Sequence, residues 1–178
     1  MDFTEVIMTR RSVRSFKPDP IPDDVLIRVL NVGRFAPSAN NLQPWRFIVV
    51  RDEVRRRKLA EHADQPFVGE APIVLVCCGK RYHDRYSWIS DRLYLMDCAI
   101  AIDHLTLAAR NEGLGTCWIG AFQRGRVMSV AQVPAEYDAL MLLPIGYPAS
   151  EKAFHETSAR QPLSDIVSEL PAMSAEKK

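Results

Sequence analysis

A single domain mixing helices with a few strongly apolar strands is what this sequence predicts, and three observations predict it. At 178 residues the chain has the size of one ordinary domain with room for a real core. Three short runs, Trp45–Val50, Ile73–Cys78 and Leu140–Pro148, are apolar and read as strands. Elsewhere apolar residues recur at helical spacing, most densely between Ser90 and Gly113.

The elements follow in order. Asp2 and Glu5 have the spacing of a capping box, and Phe3, Val6 and Ile7 form a short apolar stripe behind it. Pro18, Pro20 and Pro22 make an extended connection. Pro22, Asp23 and Asp24 then open a second helix with proline in the first turn and carboxylates at the positive end of the dipole. Val25, Leu26, Val29, Leu30 and Val32 carry it until it stops near Pro37. A polar, irregular stretch, Pro37 to Pro44, leads into the first strand.

Asp52 to Ala63 is a third helix bearing Arg55, Arg56, Arg57 and Lys58. Glu53, Glu61 and Asp64 flank that run, which favours a solvated surface over a nucleic-acid face. The second strand enters through Pro72. Lys80 to Ser90 then places Tyr82, His83, Tyr86 and Trp88 among charges, too polar for a core element and too aromatic for an idle loop.

The longest helix runs from about Ser90 to a terminator at Gly113. Leu93, Leu95, Met96, Cys98, Ile100, Ile102 and Leu105 put apolar surface on nearly every face, so it lies in the middle of the fold or across a dimer interface. Asp97, Asp103 and His104 interrupt it and read as partnered core or interface groups rather than catalytic ones. Gly113 to Phe122 is a glycine-spaced turn and short extended piece. It lacks the third glycine of a dinucleotide fingerprint and follows a helix, so a Rossmann reading fails. Gly125 to Val133 is another short helix. The last strand contains Pro144, which hints at an edge or a bulge. A polar tail from Ser150 carries Arg160 and a small helix around Leu163 to Leu170. No repeat and no second domain is visible across residues 1–178.

Charge and cysteine usage exclude several classes. Lys and Arg number 23 against 22 Asp and Glu, without the basic excess of a general nucleic-acid binder. No run is long and apolar enough for a membrane helix, and the start of the chain lacks an apolar signal core. Cys77, Cys78, Cys98 and Cys117 form no CxxC pair and have no histidine at zinc-ligand spacing. Reduced, mostly buried thiols in a cytoplasmic protein are the expectation.

Against that near-neutral background, Arg10 to Lys17 concentrates four cations and two hydroxyls in eight residues without a carboxylate. Arginine forks bind phosphate in bidentate fashion and serines add short donors. The octet alone is compatible with a solvated basic turn. Together with Ala36-Pro37-Ser38-Ala39-Asn40-Asn41-Leu42-Gln43-Pro44-Trp45 it reads as a flavin mononucleotide site.

These two stretches, Gly113 to Gly120, and Leu143 to Pro148 occur in the order and spacing of the FMN-dependent nitroreductase family, which the chain resembles over nearly its whole length. The resemblance implies an α+β fold, a central mixed or antiparallel sheet wrapped by helices, in an intimate homodimer with two FMN sites at its interface. It implies that Arg10, Arg11, Ser12 and Arg14 hold the phosphate, ribityl chain and pyrimidine side of the ring, with Arg160 as a late phosphate ligand. Pro37, Ser38, Ala39 and Asn41 would approach the flavin from the partner chain. Trp118, Ile119, Gly120 and Ala121 would lie along the ring with the Gly120 N–H aimed at N5, and Gln65 would reach the pyrimidine edge.

The implied reaction is ping-pong hydride transfer from NAD(P)H through N5 to a nitroaromatic, quinone or similar small acceptor. Other flavin reactions on the same fold, reductive dehalogenation or attack on flavin itself, stay open, as does a non-enzymatic flavin-binding module. The chain departs from longer members in lacking inserted helices between Cys78 and Ser90, and Ser158 stands where a basic residue is common. Tyr82 and Tyr86 are therefore expected to form a short mobile lid over the substrate face, and Trp88 either joins it or anchors the start of the long helix in the core. Cys117 has no histidine near it in sequence, and flavin chemistry needs no nucleophile there.

Overall fold

The sheet is built on β2, Ile73–Gly79, whose seven residues are all buried. Leu75 and Cys77 face one helix layer while Val74, Val76 and Cys78 face another. A strand covered on both sides needs no polar alternation, and this explains its unbroken apolar sequence. The computed structural model describes residues 1–82 and 89–170.

β1 (Trp45–Val50), β2, β3 (Gly115–Thr116) and β4 (Asp138–Gly146) form a four-stranded sheet in the order β1-β2-β4-β3, with every strand pair antiparallel. β1 lies at an edge and is only half-buried, with Arg46 and Val49 exposed, so it is not the fully buried strand its sequence suggested. β4 is interior. A register shift opposite Cys77 and Cys78 leaves Leu140 as the extra residue of a bulge.

Pro144 pairs with Val74 rather than marking an edge or the bulge itself. Leu142 exchanges both backbone bonds with Ile119, at 3.0 and 2.9 Å, so the position two residues on faces the same side. Proline has no N–H to offer there. In continuous register its partner is Cys117, and the pairing breaks between Thr116 and Ile119. The proline thus releases the short segment that leads to Trp118.

One face of the sheet is covered by α2 (Asp23–Gly33) and α5 (Ser90–Asn111), through Leu26, Val29, Ile102, Leu105 and Ala109. The other is covered by α3 (Glu53–Ala63), α4 (Pro66–Glu70) and α6 (Arg124–Ala131), through Leu59, Val68 and Val127. α1 (Phe3–Thr9) packs on α5, and α7 (Leu163–Ile166) lies on an exposed tail. Asp2 is the N-cap of α1, but no side-chain cap bond forms, so the expected capping box is incomplete. Asp52 does cap α3, its Oδ1 accepting from the Arg55 amide at 2.8 Å.

The basic run on α3 is more engaged than a solvated surface requires. Arg55 donates to the Val130 carbonyl, Arg56 to those of Gly69 and Ala71, and Arg57 pairs with Glu53. Arg55 and Arg56 thus clip α3 to α6 and α4, while the Arg57 pair stays within α3.

The long helix α5 resolves into two faces. Tyr94, Cys98, Ala101, Ile102, Leu105 and Ala109 are buried, whereas Leu95, Met96 and Ile100 are exposed within one chain. Gly113, at φ +76°, follows it as the predicted terminator, and Leu114 N–H returns to the Ala109 carbonyl at 2.8 Å. No helix among the described residues is long and apolar enough to cross a membrane.

Candidate functional site

The basic octet is held as an extended strip beside the sheet. Val13 N–H donates to the Thr116 carbonyl at 2.9 Å, Lys17 N–H to that of Tyr147 at 2.8 Å, and Ala149 N–H to that of Ser15 at 3.0 Å. Val13 and Phe16 turn inward and are buried, which leaves Ser12, Arg14 and Ser15 facing out. Burying those two apolar side chains contributes roughly 1.5–3 kcal/mol each. Gly115 is part of the same arrangement: a Cβ there would lie 2.7 Å from the Val13 side chain, so only glycine lets the strip approach β3 this closely.

The outward face opens on a cavity of about 530 Å³. Arg10, Arg11, Ser12 and Arg14 line it from the octet, and His155 and Arg160 line it from the tail. Arg10 and Arg160, far apart in sequence, therefore meet at one cavity. Arg110, buried in α5, braces both walls. Its Nε donates to Thr9 Oγ1 at 3.0 Å, and its guanidinium lies 4.1 Å from the centre of the Phe154 ring.

Arg11 carries the clearest chemical signal. Its Nη1 donates to the Arg10 carbonyl, but Nε and Nη2 are buried without a hydrogen-bond partner among the described residues. Burial, then the neighbouring cations Arg160 and Arg10, lower its pKa, with Glu156 opposing. Buried, unpaired guanidinium donors beside like charges are costly, and an anion is the group that relieves both problems. A phosphate ester fits this set of donors.

Trp118, Ile119, Gly120 and Ala121 run along the edge of β4 from the break opposite Pro144. Trp118 Nε1 donates to Thr106 Oγ1 at 2.8 Å, and that hydroxyl in turn donates to the Ile102 carbonyl, which anchors the indole on α5. Gly120 is exposed, and its N–H has no protein partner among the described residues. A Cβ at this position would meet nothing closer than Met141 Cε at 3.6 Å. Nothing in the chain itself demands glycine there, in contrast to Gly115; close approach by a ligand would.

Pro37, Ser38, Ala39 and Asn41 lie in a separate loop that packs on α5 and does not line the cationic cavity. Gln65 precedes α4 and lines a different cavity of about 750 Å³ with Arg57, Glu61 and Asp64, so the structure does not bring it to the arginine cluster. Tyr82 is buried, and its hydroxyl donates to Asp97 Oδ2 at 2.5 Å. Tyr86 and Trp88 lie outside the described residues. Sequence reasoning missed His155, Arg110 and Thr106. Only His155 had a local signal, standing five positions before Arg160.

All four cysteines are free and buried. Burial pushes the Cys78 and Cys98 thiols up to about 12 and Cys77 well above its ordinary value. Burial raises Cys117 as well, with Arg14, the Ser12 side chain and Arg10 pulling the other way. None is poised as a nucleophile. Iodoacetamide at pH 8 is expected to label no cysteine in the folded protein and all four in urea, as read by intact mass. The sign for stability follows. Unfolded thiols ionise from about pH 8.5 while the folded ones keep their protons, so this contribution is complete below that pH. It declines as pH rises towards 12.

The fold is an α+β scaffold, a four-stranded antiparallel sheet covered by helices on both faces, with a cationic cavity beside it. Residues 7–65 and 60–147 match the model of the nitroreductase family, and the chain belongs to that family. It is 30% identical over 203 residues to an NADH dehydrogenase of Thermus thermophilus, covering 94% of this chain and 95% of that one. An iodotyrosine deiodinase of Thermotoga neapolitana is 30% identical over 172 residues, covering 80% and 87%. Among solved structures, a nitroreductase family protein of Clostridium novyi NT superposes with a TM-score of 0.78 at 31% identity, covering 84% and 87%.

Proposed function

We propose that this chain binds FMN and passes hydride from NAD(P)H to a nitroaromatic, quinone or similar flat acceptor, working as a homodimer with shared sites. The observation that carries the reading is the cavity of four arginines in which the Arg11 guanidinium has two buried, unpartnered nitrogens. Arg10, Arg11, Ser12 and Arg160 hold the phosphate. Arg14 reaches the ribityl and pyrimidine side, where a cation stabilises negative charge. Trp118 to Ala121 line the ring, with the Gly120 amide, which has no partner among the described residues, directed at N5. Pro37, Ser38, Ala39 and Asn41 complete the partner's site, and Tyr82 borders the face where the acceptor stacks. When bound, FMN supplies the two-electron chemistry; the protein supplies binding, orientation and exclusion of water.

The purified protein is expected to carry flavin absorbance, to be bleached by NAD(P)H under anaerobic conditions, and to recover colour when an acceptor is added afterwards. Parallel double-reciprocal plots would report the ping-pong order. Failure to bind added FMN would overturn the reading. Similarity to the Thermotoga deiodinase supports a second reading, reductive dehalogenation, in which halide is released as hydrogen replaces it. Halide release from an iodotyrosine, set beside nitroaromatic turnover, separates the two.

A further inference from the structure

The loop from Pro37 to Gln43 is held in a costly shape. Asn40, Asn41 and Gln43 have φ of 48°, 57° and 49°, the left-handed region that side-chain-bearing residues rarely adopt. Such conformations persist only where surrounding bonds over-determine them. Most of those bonds are internal to the loop. Asn41 N–H donates to the Ser38 carbonyl and Leu42 N–H to that of Ala39, each at 3.0 Å. Gln43 N–H donates to Ser38 Oγ at 3.0 Å, and its side-chain amide to Asn41 Oδ1 at 3.1 Å. Its ends are held by Ala36 N–H on the Gly33 carbonyl and Lys80 N–H on the Pro44 carbonyl, and the internal bonds give it its shape, but neither set ties it to the long helix.

Asp97 supplies the position. It lies in α5, 6% exposed, and its Oδ2 accepts from the Ala39 amide at 3.0 Å and from the Tyr82 hydroxyl at 2.5 Å. One carboxylate oxygen therefore ties the strained loop to the long helix and to Tyr82, three residues past β2. We propose that Asp97 is a positioning residue that sets the Pro37–Asn41 loop, and with it the flavin site that loop completes, by holding the loop and Tyr82 on a single oxygen. The inference rests on the flavin-binding reading above and deepens it: Tyr82 and the flavin loop are coupled through α5. Charge-assisted bonds to a buried carboxylate are short and directional, which suits a group that must hold an amide in place.

Two readouts test this. The first does not need flavin. In Asp97→Asn, hydrogen exchange of the backbone across residues 37–44 is expected to rise while the amides of the β2–β4 ladder keep their protection. The second is FMN affinity of apoprotein, read by quenching of flavin fluorescence. Asp97→Ala is expected to weaken it roughly tenfold or more, as loss of a charged hydrogen-bonding group does, and Asp97→Asn by less. Tyr82→Phe, which deletes one hydroxyl, is expected to raise acceptor KM more than it changes kcat. Combined with Asp97→Asn, it should add little further loss.

A fall in melting temperature with wild-type exchange at 37–44 and wild-type FMN affinity would make Asp97 a merely structural residue and overturn the proposal. If wild-type protein binds no FMN, the functional reading fails. The exchange experiment still decides whether Asp97 positions the loop.

Discussion

Replacing Arg10 with alanine is expected to weaken FMN binding by about 2–3 kcal/mol, and replacing Arg160 by about 1.5–2 kcal/mol, within the usual range for hydrogen bonds to charged groups. Arg10 is half-buried, whereas Arg160 is exposed on the tail, so screening by water places Arg160 at the lower end. Both line the cavity that Arg11 also lines, with its Nε and Nη2 unpartnered among the described residues. In affinity the losses are about 10- to 150-fold. Titration of apoprotein with FMN at two salt concentrations checks the assignment, since contacts with a phosphate dianion should weaken as salt rises. Wild-type affinity in both variants would show that the phosphate lies elsewhere. Arg110→Met is no substitute, because Arg110 is buried against Thr9 and Phe154 and its loss disturbs both walls at once.

A double substitution on α5, Met96→Asp with Ile100→Asp, is expected to convert the proposed dimer to monomer and to strip its proposed flavin with it. The reason is the unmatched face of that helix. Met96 is 52% exposed and Ile100 38%, and Leu95 at 42% is also on the surface. Phe35 and Leu42 add further exposed apolar area, the latter at the end of the Pro37–Asn41 loop. A monomer rarely leaves so much large apolar surface in water, and stable interfaces bury on the order of 1,200–2,000 Å² in total. Two buried carboxylates without partners would each cost several kcal/mol at such an interface. Sedimentation with absorbance at protein and flavin wavelengths gives both readings together. A wild-type monomer fully loaded with flavin at micromolar concentration would end the shared-site reading. A double variant that stays dimeric would move the interface off this face.

Much of the architecture was legible because it depends on local pattern. The three long strands and six of the helices follow from apolar runs, helical periodicity and stop signals that act within a few residues of themselves. Asp52 and Gly113 lie where their chemistry puts them, at a helix start and just past a helix end. α4 escaped notice because its five residues, Pro66–Glu70, are too few to show a period. The half-exposure of β1 escaped because a strand's place in the sheet is not written in its own residues. Pro144 was misread for the same reason. It suggested an edge, yet β4 is interior, and the missing N–H is absorbed by a break in the neighbouring segment.

The candidate site divides along the same line. The octet Arg10 to Lys17 stands out by composition, four cations without a carboxylate, but by itself it is compatible with a solvated basic turn and points to an anion only together with Ala36 to Trp45. Its meeting with Arg160, the orphaned nitrogens of Arg11 and the bracing by Arg110 are tertiary facts, since they join residues near the two ends of the chain to α5. Asp97 was visible as an interruption in an apolar helix, and its chemistry was not, because a carboxylate is defined by what it accepts from. Here that is an amide 58 positions away and a hydroxyl 15 positions away. By itself, then, the sequence determined which segments are helix or strand and which stretch gathers cations without a counter-charge, both being properties of neighbours along the chain. Only the tertiary structure decided which face of α5 is left uncovered, which cations converge, and which loop a buried carboxylate holds. Those depend on distances that folding creates between residues that are strangers in sequence.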